Sequence, residues 1–88
     1  MIREFFKKQE SFDQWKKDND KGYIFNDFGG GNPEDQKLHL VDCPFVTRMN
    51  ANVNKICSDN LDDLRNYLEK HRGPLGEGYT ACKVCNPF

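Results

Sequence analysis

The chain carries the stretch GYTACKVCNPF, and its two cysteines, Cys82 and Cys85, constrain the fold more than any other feature. With 88 residues the protein is at most one domain. So short a chain buries a thin core, which a cross-link or a bound metal commonly supplements. A C-x-x-C pair by itself fits a redox couple, half a metal site or half a disulfide framework. The compartment narrows the choice. No apolar run approaches the ~20 residues of a membrane span, and the apolar part of MIREFFKKQE is too short and too charged for a secretory signal. The expected location is cytoplasmic, where cysteine pairs serve metals or redox chemistry more often than structural disulfides.

A second close pair lies upstream. LHLVDC puts His39 four residues before Cys43, as ACKVC puts Cys82 three before Cys85. Two pairs on tight turns, joined by a longer segment that folds between them, make a common plan for a structural zinc site. Three thiolates and an imidazole complete a tetrahedral Zn²⁺ with no open position. The expected metal ligands are therefore His39, Cys43, Cys82 and Cys85 around one structural zinc, whose binding supplies folding free energy. Gly78 is expected to permit a tight turn before the knuckle, and the N–H groups of Lys83 and Val84 to donate to a thiolate. Taken singly, His39 reads as a surface strand residue and Cys43 as a small buried hydrophobe. Cys57 has three readings: packed under a helix, a ligand in place of His39, or a reactive thiol at a helix N-terminus.

Around these pairs the pattern reads as α+β. Residues 2–20 place Ile2, Phe5, Phe6, Phe12 and Trp15 at helical spacing, and Ser11 with Gln14 resembles a capping box that restarts a helix at residue 12. YIFNDF, 23–28, reads as a strand; GGGNPEDQ, 29–36, as a flexible connection. KLHLV, 37–41, alternates, with Leu38 and Leu40 on one face and His39 and Val41 on the other, so a hairpin is expected. NVNKIC, 52–57, gives a third strand. In SDNLDDLRNYLEKHR a helix is capped by Ser58 or Asp59, with basic residues in its last turn. Its apolar stripe is Leu61, Leu64, Tyr67 and Leu68, and Gly73-Pro74 ends it. The expected fold is one small zinc-stabilised domain over 1–88. It has a helical lead-in at 1–22, then a core at 23–88 of three antiparallel strands, a later helix and a C-terminal zinc knuckle.

The net charge of −1 argues against a protein held on nucleic acid by bulk electrostatics. Lys7, Lys8, Lys16, Lys17 and Lys21 alternate with acids and read as a solvated helix face. The aromatic residues of the first third, Phe5 to Phe28, read as core.

HLVDCPFV, followed by a helix and then GYTACKVCNP, resembles the small zinc-binding domain of the Ada-type DNA-repair methyltransferases, a module that recurs in small bacterial proteins. The likeness covers about residues 38–87. It implies zinc at His39, Cys43, Cys82 and Cys85, and DNA as a partner. His39 stands where that family has the zinc-bound cysteine that accepts a methyl group, so the resemblance carries fold and metal but not repair. The expectation is a structural zinc-binding module rather than an enzyme. It presents a surface to DNA, through Lys83, Arg48, Arg65 and Arg72, or to a protein partner. The alternatives are a zinc-thiolate alkyl acceptor at Cys43 or Cys57, and a thiol oxidoreductase at Cys82 and Cys85. Hydrolysis at an open zinc, with Asp42 or Asp27 as base, has no motif behind it.

Overall fold

In a computed structural model of the protein, residues 1–27, 36–46 and 53–87 are described. Strand β2 (Tyr23–Asp27) pairs antiparallel with β3 (Lys37–Leu40), with Ile24 opposite His39, which is the expected hairpin. On its other side β2 pairs antiparallel with β4 (Asn54–Ser58), with Ile24 opposite Cys57 and Phe25 opposite Ile56. Period-two alternation then sorts the side chains onto two faces. Phe25, Leu38 and Ile56 face one way and pack with Leu64, Leu68 and Tyr79. Ile24 and Cys57 face the other way and pack with Phe5, Phe12 and Trp15. Each face is covered by one helix, α1 (Gln9–Asp18) or α2 (Leu61–His71). Leu38, like Ile24 and Phe25, is completely buried.

Two strands beyond the expected three complete the sheet, in the order β1-β4-β2-β3-β5. The N-terminal segment is not helical from residue 2: β1 (Arg3–Phe5) pairs antiparallel with β4, Arg3 opposite Cys57. Pairing with a strand more than fifty residues away satisfies these backbone groups, and that overrides the local helical spacing of Ile2 and Phe5. Lys7, at a φ of 58°, reverses the chain into α1. The helix starts at Gln9 without a side-chain cap, so Ser11 and Gln14 lie inside it instead of opening a new one. Phe12 and Trp15 form its buried stripe as expected, while Phe6 is exposed. At the opposite edge β5 (Thr80–Ala81) runs parallel to β3.

Helix α2 follows its sequence closely. Leu64 and Leu68 are buried, and Leu61 and Tyr67 pack at the margin. Its cap is Asn60, whose side chain accepts from the Asp63 N–H at 3.0 Å, rather than Ser58 or Asp59. The reason is that β4 extends through Ser58, opposite Tyr23. Past the helix, Gly73 takes a φ of 117° and donates to the Leu68 carbonyl, a usual glycine stop. Phe28, residues 29–35, Arg48 and the expected start of the third strand at residue 52 lie outside the described residues. Among the described residues no helix is long and apolar enough to cross a membrane.

Gly78 works differently from the expected turn residue. A Cβ there would stand 2.2 Å from the Arg72 carbonyl oxygen and 2.7 Å from the Gly73 nitrogen. The strand that leads to Cys82 therefore passes directly over the end of α2, and only a residue without a side chain fits. Gly78→Ala is expected to cost about 2 kcal/mol, because backbone cannot yield as a flexible side chain would. Denaturant unfolding of the variant checks this.

Candidate metal centre

Three turns of sequence bring the four expected residues to one point. His39 lies on β3 with its side chain on the α1 face, and is 5% exposed. The chain then turns at once: the Cys43 N–H donates to the Leu40 carbonyl at 3.1 Å, and the Val46 N–H to the Cys43 carbonyl at 2.9 Å. That double turn folds Cys43 back beside His39, with Sγ 3.6 Å from the imidazole Nδ1. The other pair arrives on β5. Leu38 is opposite Ala81, and the Cys82 N–H donates to the Leu38 carbonyl at 2.9 Å, so Cys82 sits level with His39. Its sulfur is 3.9 Å from that of Cys43. The knuckle then closes through the Asn86 N–H on the Cys82 carbonyl at 3.0 Å, with Asn86 at a φ of 47°. Asparagine tolerates that left-handed conformation better than most residues.

The ligand atoms of His39, Cys43, Cys82 and Cys85 all lie within 4.8 Å of one another. A tetrahedral ion with Zn–S of about 2.3 Å and Zn–N of about 2.0–2.1 Å has S···S edges near ~3.8 Å and N···S edges near ~3.6 Å. The His39–Cys43 and Cys43–Cys82 separations match those edges. They are far too long for a disulfide, whose sulfurs stand about 2.05 Å apart, and all four cysteines are free thiols. The residues fit one bound metal ion.

Electrostatics favour the same arrangement. Burial, with the Lys37 and Lys55 charges, lowers the His39 pKa to about 4, so the ring is neutral at physiological pH and one of its nitrogens offers a lone pair. Burial pushes the Cys82 thiol up, but the N–H groups of Cys85 and Val84 donate to its sulfur and bring it below its ordinary value. Burial and the neighbouring sulfurs of Cys43 and Cys82 push Cys85 up to about 12, against the pull of the Leu40 N–H, which donates to its Sγ at 3.3 Å. The opposed shifts are those of like charges sharing a site. A divalent cation among the sulfurs removes the conflict and displaces the protons.

The expected Val84 N–H does donate to a thiolate, and Cys85 and Leu40 supply the further backbone donors in place of Lys83. The Leu40 contact crosses from β3 to the knuckle, and no local pattern signals it. Cys57 stands apart from the cluster. The register runs Cys57, Ile24, His39 across β4, β2 and β3, which puts two strand spacings, roughly 10 Å, between Cys57 and the imidazole. It is completely buried, and burial pushes its thiol up to about 12. Of its three readings the packed one fits, with the difference that Cys57 packs on the α1 face and not under the helix that follows it. Among the expected DNA contacts, Arg65 on α2 lies 3.9 Å from Glu69 and Arg72, just past the end of that helix, is paired with Asp27, whereas Lys83 is on the knuckle.

Compared with protein-family models, curated proteins and solved structures, the chain matches none, so the Ada-type resemblance rests on the quoted motifs alone.

Proposed function

We propose that the protein is a structural zinc module, built like the Ada-type metal-binding domain, in which one Zn²⁺ cross-links the β3 turn to the C-terminal knuckle. The observation that carries this is the convergence of a His39 ring nitrogen and three sulfurs within 4.8 Å, with the His39–Cys43 and Cys43–Cys82 separations at tetrahedral edge length. Zinc suits a Cys3His set better than hard cations, which prefer oxygen. With four protein ligands the ion has no position for water, so the role is binding rather than hydrolysis. His39 in the set also leaves no thiolate where the family's methyl acceptor stands.

The two ligand turns carry the surface that such a module presents. Phe45, 44% exposed, and Val84, 62% exposed, flank the site with the exposed Lys83 beside them. DNA, the partner that the resemblance implies, is tested by titrating duplex and single strands at low salt. Salt-sensitive binding that weakens in Lys83→Ala supports it, and no shift with either strand form leaves a protein partner. The metal reading is tested by elemental mass spectrometry on protein purified without chelator. About one zinc per chain is expected in the wild type and in Cys57→Ala, and none in His39→Ala. Zinc kept in His39→Ala but lost in Cys57→Ala would overturn the ligand set.

A further inference from the structure

We propose that the metal centre is an oxidation-sensitive latch, opened through Cys85. This rests on the metal reading above and concerns the regulation of the same site. The four ligands differ in access: Cys43, Cys82 and His39 are at most 5% exposed, and Cys85 alone is half-buried, on the outer side of the knuckle. A small hydroperoxide therefore meets the Cys85 sulfur first. That sulfur attacks one peroxide oxygen, the O–O bond breaks, and the alkoxide or hydroxide leaves with a proton from water. Cys85 becomes a sulfenic acid. A second thiolate then attacks the Cys85 sulfur, an S–S bond forms, and the sulfenic oxygen leaves as hydroxide.

Cys82 is that second thiolate. It shares one turn with Cys85, closed by the Asn86 N–H on the Cys82 carbonyl, so the two stay together when the C-terminal arm, residues 82–87, moves. Cys43 belongs to the β3 turn and reaches Cys85 only while the arm is docked. Once Cys85 is oxidised the ion has lost a ligand, and the arm is held by the Cys82 N–H on the Leu38 carbonyl, next to the two register pairs between β5 and β3. The Cys82–Cys85 disulfide lies wholly within the arm, so it does not replace the cross-link that the metal made. Oxidation releases the metal and unlatches the knuckle after Ala81, while Tyr79 stays packed in the α2-side cluster. Cys57, completely buried in the α1-side cluster, takes no part.

The experiment treats metal-loaded, reduced protein with hydrogen peroxide. Metal release is followed with a metallochromic dye, free thiols are trapped by alkylation, and disulfides are mapped by peptide mass spectrometry. Release in step with one Cys82–Cys85 disulfide is expected, with Cys43 and Cys57 alkylated, and thiol reductant plus zinc restores the starting state. Cys85→His keeps four ligands and removes the accessible sulfur, so it should hold metal and release it at least about tenfold more slowly. A disulfide joining Cys43 to either partner, or equal release rates in Cys85→His, overturns the latch. So does metal retained while the thiols stay reduced. If Cys85→His fails to load metal, the wild-type mapping decides alone. A wild type with no metal before peroxide is added overturns the metal reading as well, which separates the two failures.

Discussion

Chelation of the metal is expected to lower the thermal midpoint by about 15–30 °C. Structural zinc binding in small finger peptides is worth roughly 10–16 kcal/mol, as much as the whole stability of an ordinary domain, about 5–15 kcal/mol. Here part of the fold stands without the ion. Phe25, Leu38, Ile56, Leu64, Leu68 and Tyr79 pack on the α2 side and include no ligand. The α1-side cluster does include ligands, Cys43 and Cys82, with Val46 between the β3 turn and the rest. Loss of even about 4 kcal/mol moves the midpoint of a domain this size by 4–8 °C per kcal/mol, which gives the stated range. The loss should be lopsided. Trp15 is 8% exposed against the α1-side cluster, so its emission should shift to the red on chelation. Much of the far-UV signal from α2 should persist at low temperature. Thermal scans and fluorescence with chelator, then with zinc restored, check both parts. An unchanged midpoint with the metal demonstrably gone would mean that the four side chains pack without it.

The clustering of the four residues was legible because each pair is local: four residues from His39 to Cys43, three from Cys82 to Cys85, each on its own turn. The helix α2 was legible for the same reason, since Leu61, Leu64 and Leu68 recur at its own period. What was hidden depends on distant partners. Arg3–Phe5 is a strand because β4 presents an open edge, and Thr80–Ala81 because β3 does. Neither segment is long enough to show an alternation. Cys57 kept three readings in the sequence, and register across the sheet separates them, since Ile24 stands between it and His39. Lys55 shows the same limit most sharply. In NKICS the lysine looks like a surface residue, yet it sits two before Cys57 and so shares its inward face.

Lys55→Met is expected to stabilise the protein by about 3 kcal/mol at neutral pH, and the gain should vanish in alkali. Lys55 is 1% exposed, and its ammonium donates to Asn26 Oδ1. Burial lowers its pKa from 10.5 to about 8; the Cys57 sulfur raises it and Lys16 lowers it further. A depression of that size corresponds to about 3 kcal/mol of cost for keeping the charged form in the fold, at ~1.4 kcal/mol per pH unit. The cost is fully present below pH 8, where folded and unfolded chains are both protonated. Between about pH 8 and 10.5 the folded chain releases a proton that the unfolded chain keeps, so stability rises with pH and the cost disappears. Cys57 acts in the opposite sense. Burial holds its thiol protonated in the fold up to about pH 12, so above pH 9 the unfolded chain ionises first and stability falls. The wild-type curve should therefore rise from pH 8 to 9 and then flatten, while Lys55→Met, which lacks the first term, should only decline. Methionine fills nearly the same volume, and the half-buried Asn26 can turn to water. Urea unfolding of both proteins from pH 6 to 10.5 measures the gap. A variant less stable than the wild type at pH 7 would show that the Lys55–Asn26 hydrogen bond outweighs the desolvation of the ammonium.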